Sequence, residues 1–132
     1  GRMFIGLIHL DTGRMDFTNA GHNPPVIGTN GKGEFLTMES NAPIGLWPGI
    51  EYVGESYENI KGHSLLVYSD GLNEAENMEQ EQFSDERILE VLSRTNYTTS
   101  KEVIDALVEE VEKHRNGADP NDDLTMLCLR IK

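Results

Sequence analysis

The sequence predicts an α+β domain in which helices lie on a largely antiparallel sheet. Three observations carry that expectation. Short apolar runs bounded by turn residues fill the chain as far as Asp70, a helical period takes over after Ser84, and one last apolar run, "LTMLCLRI", closes the chain. Strands in succession followed by helices in succession indicate α+β rather than a parallel α/β sheet. With 132 residues the chain has the length of one domain, residues 1–132, and can bury a real core.

The first run, "MFIGLIHLD", ends at Asp11-Thr12-Gly13, a hairpin signal, and "RMDFTNA" reads as its return strand. Asn23-Pro24-Pro25 breaks the pattern. "VIGT" and "EFLTM" read as a second hairpin about Asn30-Gly31. "NAPIGLWPGI", with two prolines and two glycines, reads as loop. "EYVGESYENI" alternates and reads as one half-exposed strand with Tyr52, Gly54 and Ser56 on one side. Lys61-Gly62 then turns the chain into the apolar "HSLLVYSD".

Ile88, Leu89, Val91 and Leu92 form a helical stripe behind Ser84, which reads as an N-cap. A second stripe of Val103, Ile104, Leu107, Val108 and Val111 follows Thr99, and Thr99 with Glu102 has capping-box spacing. Asn116-Gly117 and Pro120 stop that helix. Both faces of "LTMLCLRI" are mostly apolar, the pattern of a strand covered on both sides and set beside an earlier strand.

The formal charge of -12 argues against a nucleic-acid surface, which needs clustered Lys and Arg. Much of the acid sits on the two helices and reads as a solvated face. No apolar stretch approaches membrane-spanning length. The residues ahead of the first strand show no basic n-region or small-residue cleavage site and do not read as a secretory leader, and the abrupt start reads as a piece of a longer chain. Cys128, the one cysteine, cannot form an internal disulfide and reads as buried and inert, consistent with a cytoplasmic location. The sequon at Asn96 carries no weight there. His9, His63 and His114 show no partners in the sequence. "HRNGADPN" mimics the spacing of a kinase catalytic loop, but Asn116 stands where the base belongs, and no glycine-rich phosphate loop precedes it.

Two acidic positions stand out. Asp70 closes the run "LLVYS" and is followed by Gly71, while Asp122 and Asp123 open the terminal strand. If the two strands are antiparallel neighbours, these carboxylates meet at one rim. Like charges so placed repel unless a cation lies between them, and hard Mg²⁺ or Mn²⁺ suits oxygen ligands. On that reading Gly71 lets the backbone turn sharply away. On the other, Asp-Gly and Asn-Asp-Asp are ordinary turn words. "NAGHNPP" is similarly open: His22 could ligate, bind phosphate or donate a proton, or the stretch could be simply a rigid turn.

In order, "DTGRMDFTNAGHNPP", "HSLLVYSDGLNEA" and "NDDLTMLCLRI", with "APIGLW" between the first two, resemble the successive signatures of the SpoIIE/RsbU-type branch of the PPM (PP2C-like) protein serine/threonine phosphatases. The resemblance runs nearly end to end. It implies a β-sandwich with flanking helices and largely antiparallel sheets, here truncated at the N-terminus. It also implies hydrolysis of phosphoserine or phosphothreonine with two Mn²⁺ or Mg²⁺ ions. Asp70 and Asp122 match the family's catalytic ligands, and Asp123 takes the Asn position of the more distant form, so Asp70, Asp122 and Asp123 are the implied metal site. Asn19, Gly21, His22 and Gly71 are implied to lie near it.

The upstream Gly-Asp motif, whose aspartate bridges the metals in the family, has no counterpart in this sequence, nor does the first helix pair. The chain then corresponds to the C-terminal part of one phosphatase domain, holding metal weakly, inactive or nearly so by itself, and prone to self-association through exposed sheet edges. The implied substrate of the parent protein is a phosphorylated anti-anti-sigma-factor-like protein in bacterial signalling. A non-catalytic phosphatase-like module that binds a regulatory protein is the competing expectation.

Overall fold

The computed structural model describes the chain except residues 1, 2, 30, 38–42, 48, 49, 95, 96 and 121, and describes residues 43–47 and 50–53 by backbone alone. Asn30 of the second predicted turn, Met38 at the end of its return strand and the Asn96 sequon lie outside the described residues.

The first hairpin forms as the pattern predicts. β1 (Met3–Ile8) pairs antiparallel with β2 (Met15–Ala20), and β7 (Glu55–Tyr57) pairs with the other edge of β2. A second sheet has the order β4 (Lys32–Phe35), β3 (Val26–Thr29), β8 (Ser64–Tyr68), β9 (Met126–Arg130). Every ladder between described strands is antiparallel.

The period-2 alternation divides the apolar residues between two cores. Ile27 and Leu65 face the first sheet and pack with Met15, Phe17, Leu36 and Ile60. Val26, Leu66 and Tyr68 face the opposite way, onto α2 (Asp85–Ser93) and α3 (Ser100–Arg115), meeting Ile88, Leu92, Val103, Leu107 and Val111. The run "LLVYS" is continuously apolar because β8 is covered on both faces. The layers are therefore sheet, sheet, helices.

Several expectations are corrected. Residues 41–50 do not form a loop throughout: β5 (Pro43–Trp47) and β6 (Ile50–Val53) make a separate two-stranded ribbon. Pro43 is the first residue of its strand, where a missing N–H breaks no ladder, and a register shift between Gly45 and Trp47 absorbs the irregularity. Pro48 and Gly49 lie outside the described residues. The run from Glu51 to Ile60 is not one strand, because at Gly54 the chain leaves the ribbon and β7 joins the first sheet. Ser84 stands at the start of α2 with φ 79° but makes no side-chain cap. Finally, β9 is an edge strand covered by the helices on one face and only partly covered on the other. Met126 and Cys128 pack against the helical core, while Leu127 and Leu129 remain 64% and 38% exposed. With Phe4, Ile8, Leu65 and Val67 these leucines line an apolar cavity of ≈ 240 Å³ between the sheets. Cys128 is half-buried rather than buried, and burial pushes its thiol up to about 11.

The second helix follows its stop and start signals closely. The Thr99 hydroxyl accepts from the Glu102 N–H at 3.2 Å, satisfying a donor that the helix start leaves open, while the Glu102 carboxylate reaches back to accept from the Thr98 N–H, just ahead of the cap, at 3.0 Å. Asn116, at φ 47°, caps the far end. Arg94 bridges to Glu110 at 2.9 Å, tying α2 to α3, while the remaining surface pairs are solvated and contribute little.

The histidines do have partners. His63 Nδ1 lies 3.0 Å from the Lys61 carbonyl, and His114 Nε2 lies 2.8 Å from that of Glu81. His9 belongs to a cluster around Asp16, which is buried at 9% exposure. Ser56 donates to Asp16 Oδ1 at 2.5 Å, and His9 and Arg14 approach Oδ2 at 3.2 and 3.4 Å. Burial alone would raise the Asp16 pKa, but the Ser56 and His9 hydrogen bonds and the nearby charges outweigh it and hold the carboxyl below 3.8. A depressed folded pKa means that the unfolded chain takes up the proton first. The stability contributed by Asp16 is therefore complete above 3.8 and is lost as pH falls through the lower folded value. In urea titrations across the acid range, Asp16→Asn is expected to flatten the acid limb of the stability curve. An unchanged limb would remove Asp16 from this role.

Candidate metal centre

β8 and β9 bring together what the sequence separates. Tyr68 stands opposite Met126, so the end of one strand lies beside the start of the other. Ser69 continues the pairing beyond the ladder. Its N–H donates to the Thr125 carbonyl at 2.9 Å, and its hydroxyl accepts from the Thr125 N–H at 3.2 Å. That hydroxyl is thus occupied and does not cap the helical turn that follows.

Asp70 opens that turn, α1 (Asp70–Asn73), rather than a simple reversal. Gly71 has an ordinary negative φ, so the expectation that glycine serves a sharp turn is corrected. Its need is space. A methyl group at Gly71 would collide with the Asp123 carbonyl oxygen and lie 2.6 Å from its carbon and 3.0 Å from Leu124 Cα. The backbones of the two acidic segments are in direct contact there.

Asp122 and Asp123 are exposed, and Asp122 Oδ1 accepts from the Asp123 N–H at 2.8 Å. Asp70 is half-buried. Beneath it the buried Tyr68 hydroxyl donates to Asp85 at 2.8 Å. Burial first, then Asp85, with smaller contributions from Glu86 and Asp70, pushes that phenol far above its ordinary value. Tyr68 is a neutral donor at any physiological pH and fixes the end of β8 to the start of α2.

The stretch from Asn19 to Pro25 arrives at the same rim. The Asn19 side chain clamps the turn from both sides, accepting from the His22 N–H at 2.8 Å and donating to the His22 carbonyl at 2.9 Å. Gly21 supplies the positive φ, 74°, within the clamp. His22 Nδ1 lies 2.9 Å from the Asn23 carbonyl, which can only accept, so Nδ1 carries the proton. The residue that touches the acidic site is the next one: Asn23 Nδ2 donates to Asp70 Oδ1 at 2.9 Å. Asn19, Gly21 and His22 build the turn, and Asn23, which sequence reasoning did not single out, makes the contact. The only signal for it was its position before two prolines.

Carboxylate oxygens are the donors that Mg²⁺ and Mn²⁺ take, so Asp70, Asp122 and Asp123 fit such an ion in kind. Among the described residues no group of three or more His, Cys, Asp or Glu side chains stands close enough to hold a metal ion. The rim therefore offers the right oxygens and a partial set of them.

Comparison with known proteins accords with this arrangement. The family model "Stage II sporulation protein E (SpoIIE)" matches residues 2–132. Protein IcfG of Synechocystis sp. is 30% identical over 128 residues, which is 96% of this chain and 20% of that protein. The phosphatase domain of the cell fate determinant SpoIIE from Bacillus subtilis superimposes with a TM-score of 0.75 at 24% identity, over 98% of this chain and 55% of that one. The RsbU and RsbW domains of Rv1364c from Mycobacterium tuberculosis match with a TM-score of 0.66 at 25% identity, over 96% and 36%. The chain thus spans about half the length of the phosphatase domain it resembles and a fifth of IcfG. Its antiparallel sheets and packed helices have the fold of PP2C phosphatase domains, and the chain belongs to the SpoIIE family.

Proposed function

We propose that residues 1–132 form the C-terminal part of a PP2C-like phosphatase domain, and that the parent protein removes phosphate from serine or threonine of a regulatory partner. The observation that carries the reading is the convergence at one rim of the ends of β8 and β9 and the turn at 19–25, with the Gly71 backbone against Asp123. Unrelated turns have no reason to meet in this way.

In this reading Asp70, Asp122 and Asp123 hold Mn²⁺ or Mg²⁺, two ions in the complete domain. A bound divalent cation supplies Lewis-acid catalysis, stabilising charge as it builds on the phosphoryl oxygens. The chain's own part is positional. β8 and β9 bring the backbones of the two acidic segments to one rim, and Tyr68 and Ser69 hold the end of β8 in place. The 132 residues alone, with an incomplete ligand set, turn over slowly or not at all. The partner is a phosphorylated anti-anti-sigma-factor-like protein and the setting cytoplasmic signalling. Support for both comes from membership of the SpoIIE family and likeness to RsbU.

The test uses the full-length protein and a phosphoserine peptide. Phosphate release is expected with Mn²⁺, is expected to vanish on chelation, and should return when Mn²⁺ is restored. Release that persists after exhaustive chelation, or none under any metal, would overturn the proposal.

A further inference from the structure

Asn23 is held from both directions before its side chain makes any contact. Upstream, the Asn19 clamp fixes His22, and His22 Nδ1 donates to the Asn23 carbonyl. Downstream, Pro24 restricts Asn23 to extended backbone, and Pro25 is anchored through its carbonyl, which accepts from the Leu36 N–H at 2.7 Å. The Asn23 amide then reaches across 47 positions to Asp70 Oδ1 at 2.9 Å, with a longer contact of 3.4 Å to the Tyr68 carbonyl. Little freedom remains for it to lose, so the bond orients its acceptor.

We infer that Asn23 is the positioning residue for the Asp70 carboxylate, fixing its rotation for a divalent cation; the inference rests on the metal-site reading above. The residue type is the argument. An arginine or lysine at this place would orient the carboxylate too, but its charge would compete with a metal ion. An amide offers N–H donors and no charge, so it orients the oxygen while leaving the electrostatic attraction for a cation intact. Hydrogen-bond partners of metal-ligating groups typically account for 10- to 100-fold in affinity. The bond also couples the turn at 19–25 to β8, which gives the family-like stretch "NAGHNPP" a role that does not require His22 to ligate.

Two readouts test this. In ¹⁵N spectra of the 132-residue chain, the Asn23 side-chain amide resonances should move on Asp70→Asn and stay in place on Asp119→Asn, a change on an exposed loop. Unmoved resonances in Asp70→Asn would overturn the inference, and this arm needs no Asn23 variant to fold. In Mn²⁺ titrations of the full-length protein followed by electron paramagnetic resonance, Asn23→Ala should bind on the order of 10-fold more weakly than wild type. Equal binding by a folded Asn23→Ala would overturn the Asn23 inference alone. Failure of the wild-type full-length protein to bind Mn²⁺ at millimolar concentration would instead overturn the metal-site reading and, with it, the cation-directed role of Asn23.

Discussion

Asp70→Asn in the full-length protein should lower Mn²⁺-dependent phosphate release by a factor on the order of 10³. The estimate follows from the several kcal/mol that a metal-held charge contributes to stabilising a phosphoryl transition state, each 1.36 kcal/mol being about tenfold. The substitution is nearly isosteric and leaves Leu66, Tyr68 and Leu72 in the helical core. Folding should therefore survive, and the unfolding midpoint should stay the same or rise, since a carboxylate is removed from an acidic rim. The two readouts should move apart: activity falls while stability holds. A variant that releases phosphate at the wild-type rate at the same Mn²⁺ concentration would remove Asp70 from the site. One that loses activity only because it unfolds would leave the residue a structural role.

Gly71→Ala attacks the same place through the backbone. The added methyl group would meet main-chain atoms of Asp123 and Leu124, not the end of a flexible side chain that could swing aside. Relief requires α1 or the start of β9 to shift, and either movement disturbs the Ser69–Thr125 bonds and the pairing of Tyr68 with Met126. Forced overpacking costs about 1–3 kcal/mol where side chains can adjust. Against fixed backbone on a buried glycine, about 3 kcal/mol or more is expected. Urea denaturation of the chain checks this, and a loss below about 0.5 kcal/mol would show that the two segments are not in contact in solution. Ala is the informative choice because Gly71 has no positive φ, so any loss reports the collision and not backbone strain.

Much of this fold could be read from local chemistry. The β1–β2 hairpin was signalled by Asp11-Thr12-Gly13, and α3 by its apolar stripe, the Thr99 cap and the Asn116 stop. That the terminal run lies beside an earlier strand could be read from its apolar residues, whereas its pairing with β8 in particular entered only as a condition, which the structure meets. What escaped depends on contacts made far along the chain. Nothing local in the run from Glu51 to Ile60 says that its halves belong to different sheets; the partners of β6 and β7 decide that. The burial of β9 could not be read from its leucines, because apolar residues on a second face are present whether or not anything covers them. The reason for Gly71 was misassigned because a turn and a close approach ask for the same residue. Asn23 stayed hidden because its meaning is a bond to Asp70, 47 positions away.

The antiparallel joining of β8 to β9 has a consequence for how the molecule is made. These strands are the two ends of a long excursion of chain containing the three described helices, and closing so large a loop is entropically slow and comes only with cooperative packing. The acidic rim therefore does not exist in any locally folded piece. An ion that recognises it recognises the native state alone, and by mass action it adds its binding free energy to folding. For such an ion, affinity and resistance to unfolding would be two measurements of linked equilibria.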